Sequence, residues 1–234
     1  SLQALGKRFA GHPSSALVTY EIARWYRAAG QEWKEGDPSD HRWSVKRSVE
    51  IAGDVIRRFP DSEGALLCRP LTVIDKSLSL MTEKVNVPRS PFRALVKYKN
   101  IKRIYFRALR LTADDYEYLN DSYDRTEVKL DRLRKMKALQ EWEVALPDDG
   151  DLRDHAAEVR VPPLDEGYFA ILAGTDRTFS YEKNAAAFMA TTVSNLSFTH
   201  RVSKKEGAVF RVFDRATGTP LENVSATIME RKYD

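Results

Sequence analysis

Cysteine is almost missing from this sequence. Cys68 is the only one in 234 residues, which excludes an intramolecular disulfide and any zinc site built from several thiolates. Histidine is scarce as well. His12, His41, His155 and His200 stand apart from one another, without H-E-x-x-H or a comparable pair, so no metal site is expected. No stretch of about 18 apolar residues occurs, and hence no transmembrane helix is expected. There is no G-x-S-x-G elbow to present a serine nucleophile, and no helix-turn-helix, zinc-finger or RNP-type aromatic motif. The lack of disulfides leaves the compartment open, since many exported bacterial proteins have none. The chain opens on Ser1-Leu2-Gln3 without a basic-then-apolar leader and stops at Lys232-Tyr233-Asp234. The expectation is a segment of a longer chain, excised or stripped of its leader.

What is present is charge, unevenly spread. The net charge is +4, yet residues 70–112 hold ten Lys and Arg against two acids, and residues 113–154 hold seven against thirteen. Opposite signs on neighbouring segments point to a basic strand surface that packs against the acidic segment after it. A basic stripe alone is only the sequence-independent footprint of nucleic-acid binding, and no nucleic-acid partner is expected.

The first 60 residues read as helical. From Ser15, a plausible N-cap, Leu17, Tyr20, Ile22, Ala23, Trp25 and Tyr26 recur at helical spacing until Ala28-Ala29-Gly30 stops them. A second helix runs from about Ser39 or His41 to Phe59 with Val45, Val49, Ala52, Val55 and Ile56 on one side. Ser62 caps a third, Glu63 to Leu71, which Pro70 kinks or ends. Helix, turn, helix resembles one unit of an α-solenoid, too small to bury its own apolar faces and therefore leaning on its neighbour.

Strands begin near Lys76. Arg93–Leu111 reads as a β-hairpin: Ala94, Val96 and Tyr98 share a face, Asn100-Ile101-Lys102 turns, and Ile104, Phe106 and Ala108 resume the alternation. Residues 113–146 look like a helical insertion, with an acidic aromatic stretch Asp114–Asp124 and a helix Thr126–Trp142 that turns Val128, Leu130, Leu133, Met136 and Leu139 inward. Strands return at His155–Val161, Gly167–Gly174 and Ala187–Val202, and a last pair, Gly207–Asp214 and Asn223–Glu230, is joined by Arg215–Pro220. The expected class is α+β: a helical, solenoid-like unit over 1–75, an antiparallel sandwich over 76–195 carrying the insertion 113–146, and the opening strands of a second, incomplete β-domain over 196–234.

Candidate chemistry is thin. Cys68, between Leu67 and Arg69 on an apolar helix face, lacks a nearby base and reads as a buried structural thiol. Asp148-Asp149-Gly150-Asp151 is a crude calcium loop without EF-hand spacing and reads as a solvated turn. Asn120-Asp121-Ser122-Tyr123-Asp124 reads as an Asx-rich helix start. Tyr116, Tyr118, Tyr123 and Trp142 form the most interesting surface candidate, because aromatic side chains dominate interface energetics. No catalytic, cofactor-binding or metal residue is expected, and no cofactor.

The succession FPDSEGALLC, SLSLMTEKVNVP, VKYKNIKRIYFRALRL, LDEGYFAIL and DRATGTPLENV resembles the N-terminal region of bacterial alpha-2-macroglobulin-like proteins, chiefly the large surface forms of Bacteroides-type bacteria, over roughly residues 55–234. The resemblance implies macroglobulin-like sandwich domains in a long periplasmic or cell-surface, lipid-anchored or secreted protein. Its members trap or inhibit proteases through a bait segment and, in some, a Cys-Gly-Glu-Gln thioester. Cys68 is not followed by Gly-Glu-Gln, so no family catalytic residue carries over. The expectation is a non-enzymatic framework segment of a protease trap, with proteases and neighbouring domains of the same chain as partners. A surface adhesin or glycan- or protein-binding sandwich is the alternative.

Overall fold

The computed structural model describes residues 12–181, 184–203 and 207–225. The chain is α+β: N-terminal helices precede two facing sheets that form an immunoglobulin-like sandwich.

Among the described residues three helices precede the sheets: α1 (Ser15–Glu32), α2 (Ser44–Arg58) and α3 (Glu63–Cys68). The last continues into a 3-10 turn, Arg69–Thr72, where Pro70 removes the donor that an α-helix would need. Gly30 does not stop α1, which runs two residues further. Its role is steric, since a Cβ there would lie 2.6 Å from the Val45 nitrogen, and α1 and α2 cross at that point. Gly64 is the counterpart at the other end, where a Cβ would meet the Ala16 carbonyl carbon at 2.3 Å and so block α3 from α1. The core so formed is thin, with Ala16, Ala23, Ala52, Ala65 and Cys68 all fully buried around Val55. The three helices form one antiparallel pair with a short third member, and the described residues show no solenoid.

The sandwich has eight strands. One sheet is ordered β1 (Ser77–Met81), β3 (Phe92–Lys99), β6 (Asp154–Val161). The other is ordered β2 (Val85–Asn86), β8 (Ala186–Val193), β7 (Gly167–Gly174), β4 (Arg103–Leu111), β5 (Gln140–Ala145). All pairings are antiparallel except β2 on β8. The order matches an immunoglobulin-type arrangement in which the first strand switches sheets, β1 pairing in one and β2 running parallel to the last strand in the other.

The expected hairpin Arg93–Leu111 is therefore not one. Its alternation is right, with Ala94, Val96, Tyr98, Ile104, Phe106 and Ala108 all buried, but β3 and β4 belong to opposite sheets. Asn100 takes a left-handed φ of 55°, and the chain steps across the end of the core with Ile101 plugging it at 3% exposure. Two apolar faces of this kind can be buried by sitting side by side over a third layer or by facing each other. Here they face each other, and period two cannot tell these apart.

The helix expected over 126–142 stops at Leu133. Residues 113–133 form α4 (Ala113–Asp121) and α5 (Thr126–Leu133), and Gln140–Ala145 is an edge strand. Glu141, Trp142, Glu143 and Val144 alternate out and in, and Trp142 stacks on Phe106 with ring centroids 5.1 Å apart. Thr112 caps α4 by accepting from the Asp115 amide at 3.1 Å. The Asx-rich stretch ends α4 rather than starting α5. Lys129 fastens the two helices, its buried ammonium donating to the Leu119 and Ser122 carbonyls at 2.9 and 2.8 Å. Leu119, Leu130 and Leu133 then roof the outer face of the five-stranded sheet against Leu109, Leu111, Ala170 and Leu172. β7 is thus buried on both faces, which accounts for its unbroken apolar run.

The acidic segment does neutralise the basic one. Arg107 pairs with Glu141 at 2.7 Å, Arg103 with Glu143 and Lys102 with Asp148 at 3.5 Å. After β8 the chain leaves the sandwich for a separate two-stranded antiparallel ribbon, β9 (Leu196–Ser203) and β10 (Gly207–Asp214). The expected strand Asn223–Glu230 falls largely outside the described residues. Its approach is visible where Pro220 bridges Phe213 and the Leu221 amide donates to the Val212 carbonyl at 2.9 Å.

Candidate functional site

The aspartate-rich loop 148–151 is a joint between the helices and the sandwich. Gly150 and Leu152 adopt left-handed φ values of 69° and 61°, which folds the loop back and buries Asp151. Its carboxylate accepts from the Arg153 amide at 3.0 Å and contacts His155 Nε2 at 2.8 Å, with Arg42 Nε at 3.5 Å. Burial pushes the Asp151 carboxyl up, but the bonds from His155, Arg153 and Arg42 outweigh it and hold it below the usual carboxylate range. Asp149 takes the Arg42 guanidinium directly.

Arg153 reaches the other way. It donates to the Gly30 carbonyl and, at 2.7 Å, to the Trp33 carbonyl, while its guanidinium lies 4.8 Å from the Trp33 ring centroid. The carbonyls that end α1 lack partners within the helix, and a cation there also meets the negative end of the dipole. Sandwich and helices are thus pinned by two arginines, one from each side, around a single buried aspartate. The expectation of a solvated turn holds at Asp148 and Asp149 and fails at Asp151.

The second unusual surface is the ribbon. Its register places Leu196, Phe198, His200 and Val202 beside Asp214, Val212, Phe210 and Ala208 on one face. Leu196, Phe198, Val202 and Phe210 are 54, 65, 72 and 42% exposed, although Phe198 and His200 lie against Phe210 at 6.4 and 6.0 Å. A two-stranded sheet is marginal alone, and a contiguous apolar face in water marks a contact surface. Arg215 ties it to the sandwich by donating to the Val85 carbonyl at 2.7 Å, and Asn195 bonds the Asp214 carboxylate at 2.5 Å.

The remaining candidates disperse. Cys68 is fully buried, and burial pushes its thiol up to about 11, the opposite of an activated nucleophile. His12 accepts from the Ser14 amide, His41 lies edge-on to Trp25, and His200 sits on the ribbon. Among the described residues no group of three or more His, Cys, Asp or Glu could hold a metal ion. Asp151 and His155 are two members of an acyl-transfer constellation, but the third contact of the ring is stacking on Tyr98 at 5.7 Å. The four aromatic residues do not cluster. Tyr116 packs on Tyr168 at 4.7 Å, Tyr118 lies under Arg132 and donates to Asp124, Trp142 faces the core, and only Tyr123 is fully exposed.

No signal in the sequence separates Asp151 from its neighbours in the acidic run. The single strand expected over Ala187–Val202 breaks at Ser194-Asn195 into β8 and β9, and β10 pairs with β9. Among the described residues no helix is long and apolar enough to cross a membrane.

No protein-family model matches the chain, and no curated protein matches it by sequence. Among solved structures, the CARDB domain of a Pyrococcus furiosus protein, described in complex with di-metal ions, is 14% identical over 51% of this chain and 88% of its own, with a TM-score of 0.29. Red sea bream transglutaminase is 11% identical over 77% of this chain and 23% of its own, with a TM-score of 0.31. Likeness at this level is distant and bears on neither family, ligand nor activity.

Proposed function

We propose that the chain is a non-catalytic framework segment of a bacterial alpha-2-macroglobulin-like protease inhibitor, acting in the periplasm or at the cell surface. The observation that carries the reading is the ribbon. A completed sandwich is followed at once by a short sheet with one apolar face in water, as expected where one sandwich domain hands on to the next. Of the segments that carry the resemblance, Val96–Leu111 holds the end of β3, the corner between the sheets and β4, and Asp214–Val224 follows the ribbon and ties it to the sandwich through Arg215. In such a protein the helices and the sandwich serve as a rigid stack that holds a bait segment at a distance.

The test is the intact mass of the natural protein before and after methylamine, and again after a protease. A methylamine adduct with one early cleavage supports a thioester trap, and a single bait cleavage without adduct supports a thioester-free inhibitor. The absence of both responses ends the inhibitor reading. A second reading, a surface adhesin or glycan-binding module, draws on Trp25 and Trp43, which are 55 and 44% exposed on the helices. A glycan array that shows no binding ends it.

A further inference from the structure

Among the described residues the strand β6 is an eight-residue edge of the three-stranded sheet, bonded to β3 on one side only. Alternate residues of an edge strand direct N–H and C=O groups outward, and natural sheets cover, charge or break such edges. The five-stranded sheet does so: β5 carries Glu141 and Glu143 locked to Arg107, Arg103 and Arg177, and β2 is two residues long. β6 has no proline and no bulge, with Ala156 and Ala157 at its centre.

Its charges are placed in a way that its own sheet does not use. On the outer face Glu158 is paired with Arg93, whereas no ion pair involves Asp154 or Arg160 among the described residues. Arg160 lies directly opposite Arg93 in the ladder, and the Glu158 carboxylate is taken by Arg93.

Antiparallel pairing of β6 with a second copy keeps outer face beside outer face only when the two-fold axis passes through a residue. Centred on Ala156, the pairing sets Asp154 against Glu158. Centred on Glu158, it sets that carboxylate against itself. Centred on Ala157, it sets Asp154 against Arg160 twice and Ala156 against Glu158 twice. Centred on Val159, it sets Glu158, already held by Arg93, against Arg160 twice over a shorter overlap. The register centred on Ala157 is the one that brings together the two side chains no ion pair engages, Asp154 and Arg160. We infer that β6 is an assembly edge through which two copies of this chain join their three-stranded sheets, with Asp154 of one copy opposite Arg160 of the other. The pairing is independent of the inhibitor reading.

Sedimentation of the 234-residue chain over a range of concentrations tests it, together with Arg160→Asp, Asp154→Arg and the double exchange. The wild type is expected to dimerise. Each single reversal turns two attractive cross-strand pairs into two repulsive ones and weakens dimerisation about tenfold or more. The double exchange restores it, with circular dichroism unchanged throughout. Amide exchange in β6 is expected to slow as dimer forms. A wild type that stays monomeric overturns the inference. So does a dimer indifferent to the single reversals, a double exchange that fails to rescue, or a dimer abolished by Phe198→Ser with Phe210→Ser, which assigns association to the ribbon face instead.

Discussion

The outer face of the five-stranded sheet and the apolar face of the ribbon carry similar side chains in opposite surroundings. Leu109, Leu111, Ala170 and Leu172 on the first are at most 6% exposed, whereas Phe198 on the second is 65% exposed. The difference lies in what the chain spends between strands. Between β4 and β5 it inserts two helices whose leucines cover the sheet, and Phe179, in the connection from β7 to β8, fills the remaining corner beneath Arg107. Between β9 and β10 only three residues intervene, and among the described residues nothing roofs the ribbon face. Removing a large apolar side chain from water contributes about 1.5–3 kcal/mol. The sheet has collected that contribution within the chain, and the ribbon has not.

Stripping the roof should produce the largest effect. Leu130→Ala leaves a cavity over Leu109 and Leu172 and is expected to cost about 3–4 kcal/mol in urea denaturation. Leu133→Ala should cost a similar amount, and the pair should be less than additive because both side chains line one space. A loss under about 1 kcal/mol would mean that the helices lie loosely on the sheet, and the contrast with the ribbon would lapse.

The joint at Asp151 comes next. Asp151→Asn keeps the shape and removes the charge that His155, Arg153 and Arg42 address, and should cost about 2 kcal/mol. The cost should show as faster amide exchange in α1 and α2, with β7 unchanged, because the joint holds the helices to a sandwich that stands without them. Acid should do the same to the wild type. The folded carboxyl lies below the unfolded value of about 3.9, so its contribution is complete above that pH and is lost as the pH falls through the folded value. Exchange in the helices, once corrected for intrinsic rates, should therefore rise below about pH 4. Asp151→Asn should abolish that rise.

The sequence made the core faces legible and hid the pairings. Period-two alternation named the buried residues of β3 and β4 correctly, because burial on one side is a local property. Which sheet each strand joins is not, and the three residues Asn100-Ile101-Lys102 serve a sheet-crossing corner as well as a hairpin. Trp142 was assigned to a helix because Leu133, Met136 and Leu139 continue its period, yet the strand Gln140–Ala145 takes over once Phe106 offers a ring to stack on. Gly30 read as a stop signal and is a contact point, since the same missing Cβ serves both ends. The acidic loop concealed the joint for a plainer reason: Asp148, Asp149 and Asp151 are chemically alike, and only the left-handed turn at Gly150 and Leu152 decides which is buried.

The smallest effect is expected at the ribbon, and it is the most informative. Phe198→Ser and Phe210→Ser remove apolar groups that are already largely in water, so each should change the stability of this chain by no more than about 0.5 kcal/mol. Binding of an environment-sensitive apolar dye should fall in both. On the framework reading, in which a following sandwich closes over the face, the same substitutions in the natural protein should be costly, about 2–4 kcal/mol each. Equal and small effects in both settings would leave the face open in the natural protein and remove the observation on which the framework reading stands. A large effect in this chain alone would mean that the face is already covered, and the two sheets would then differ only in what covers them.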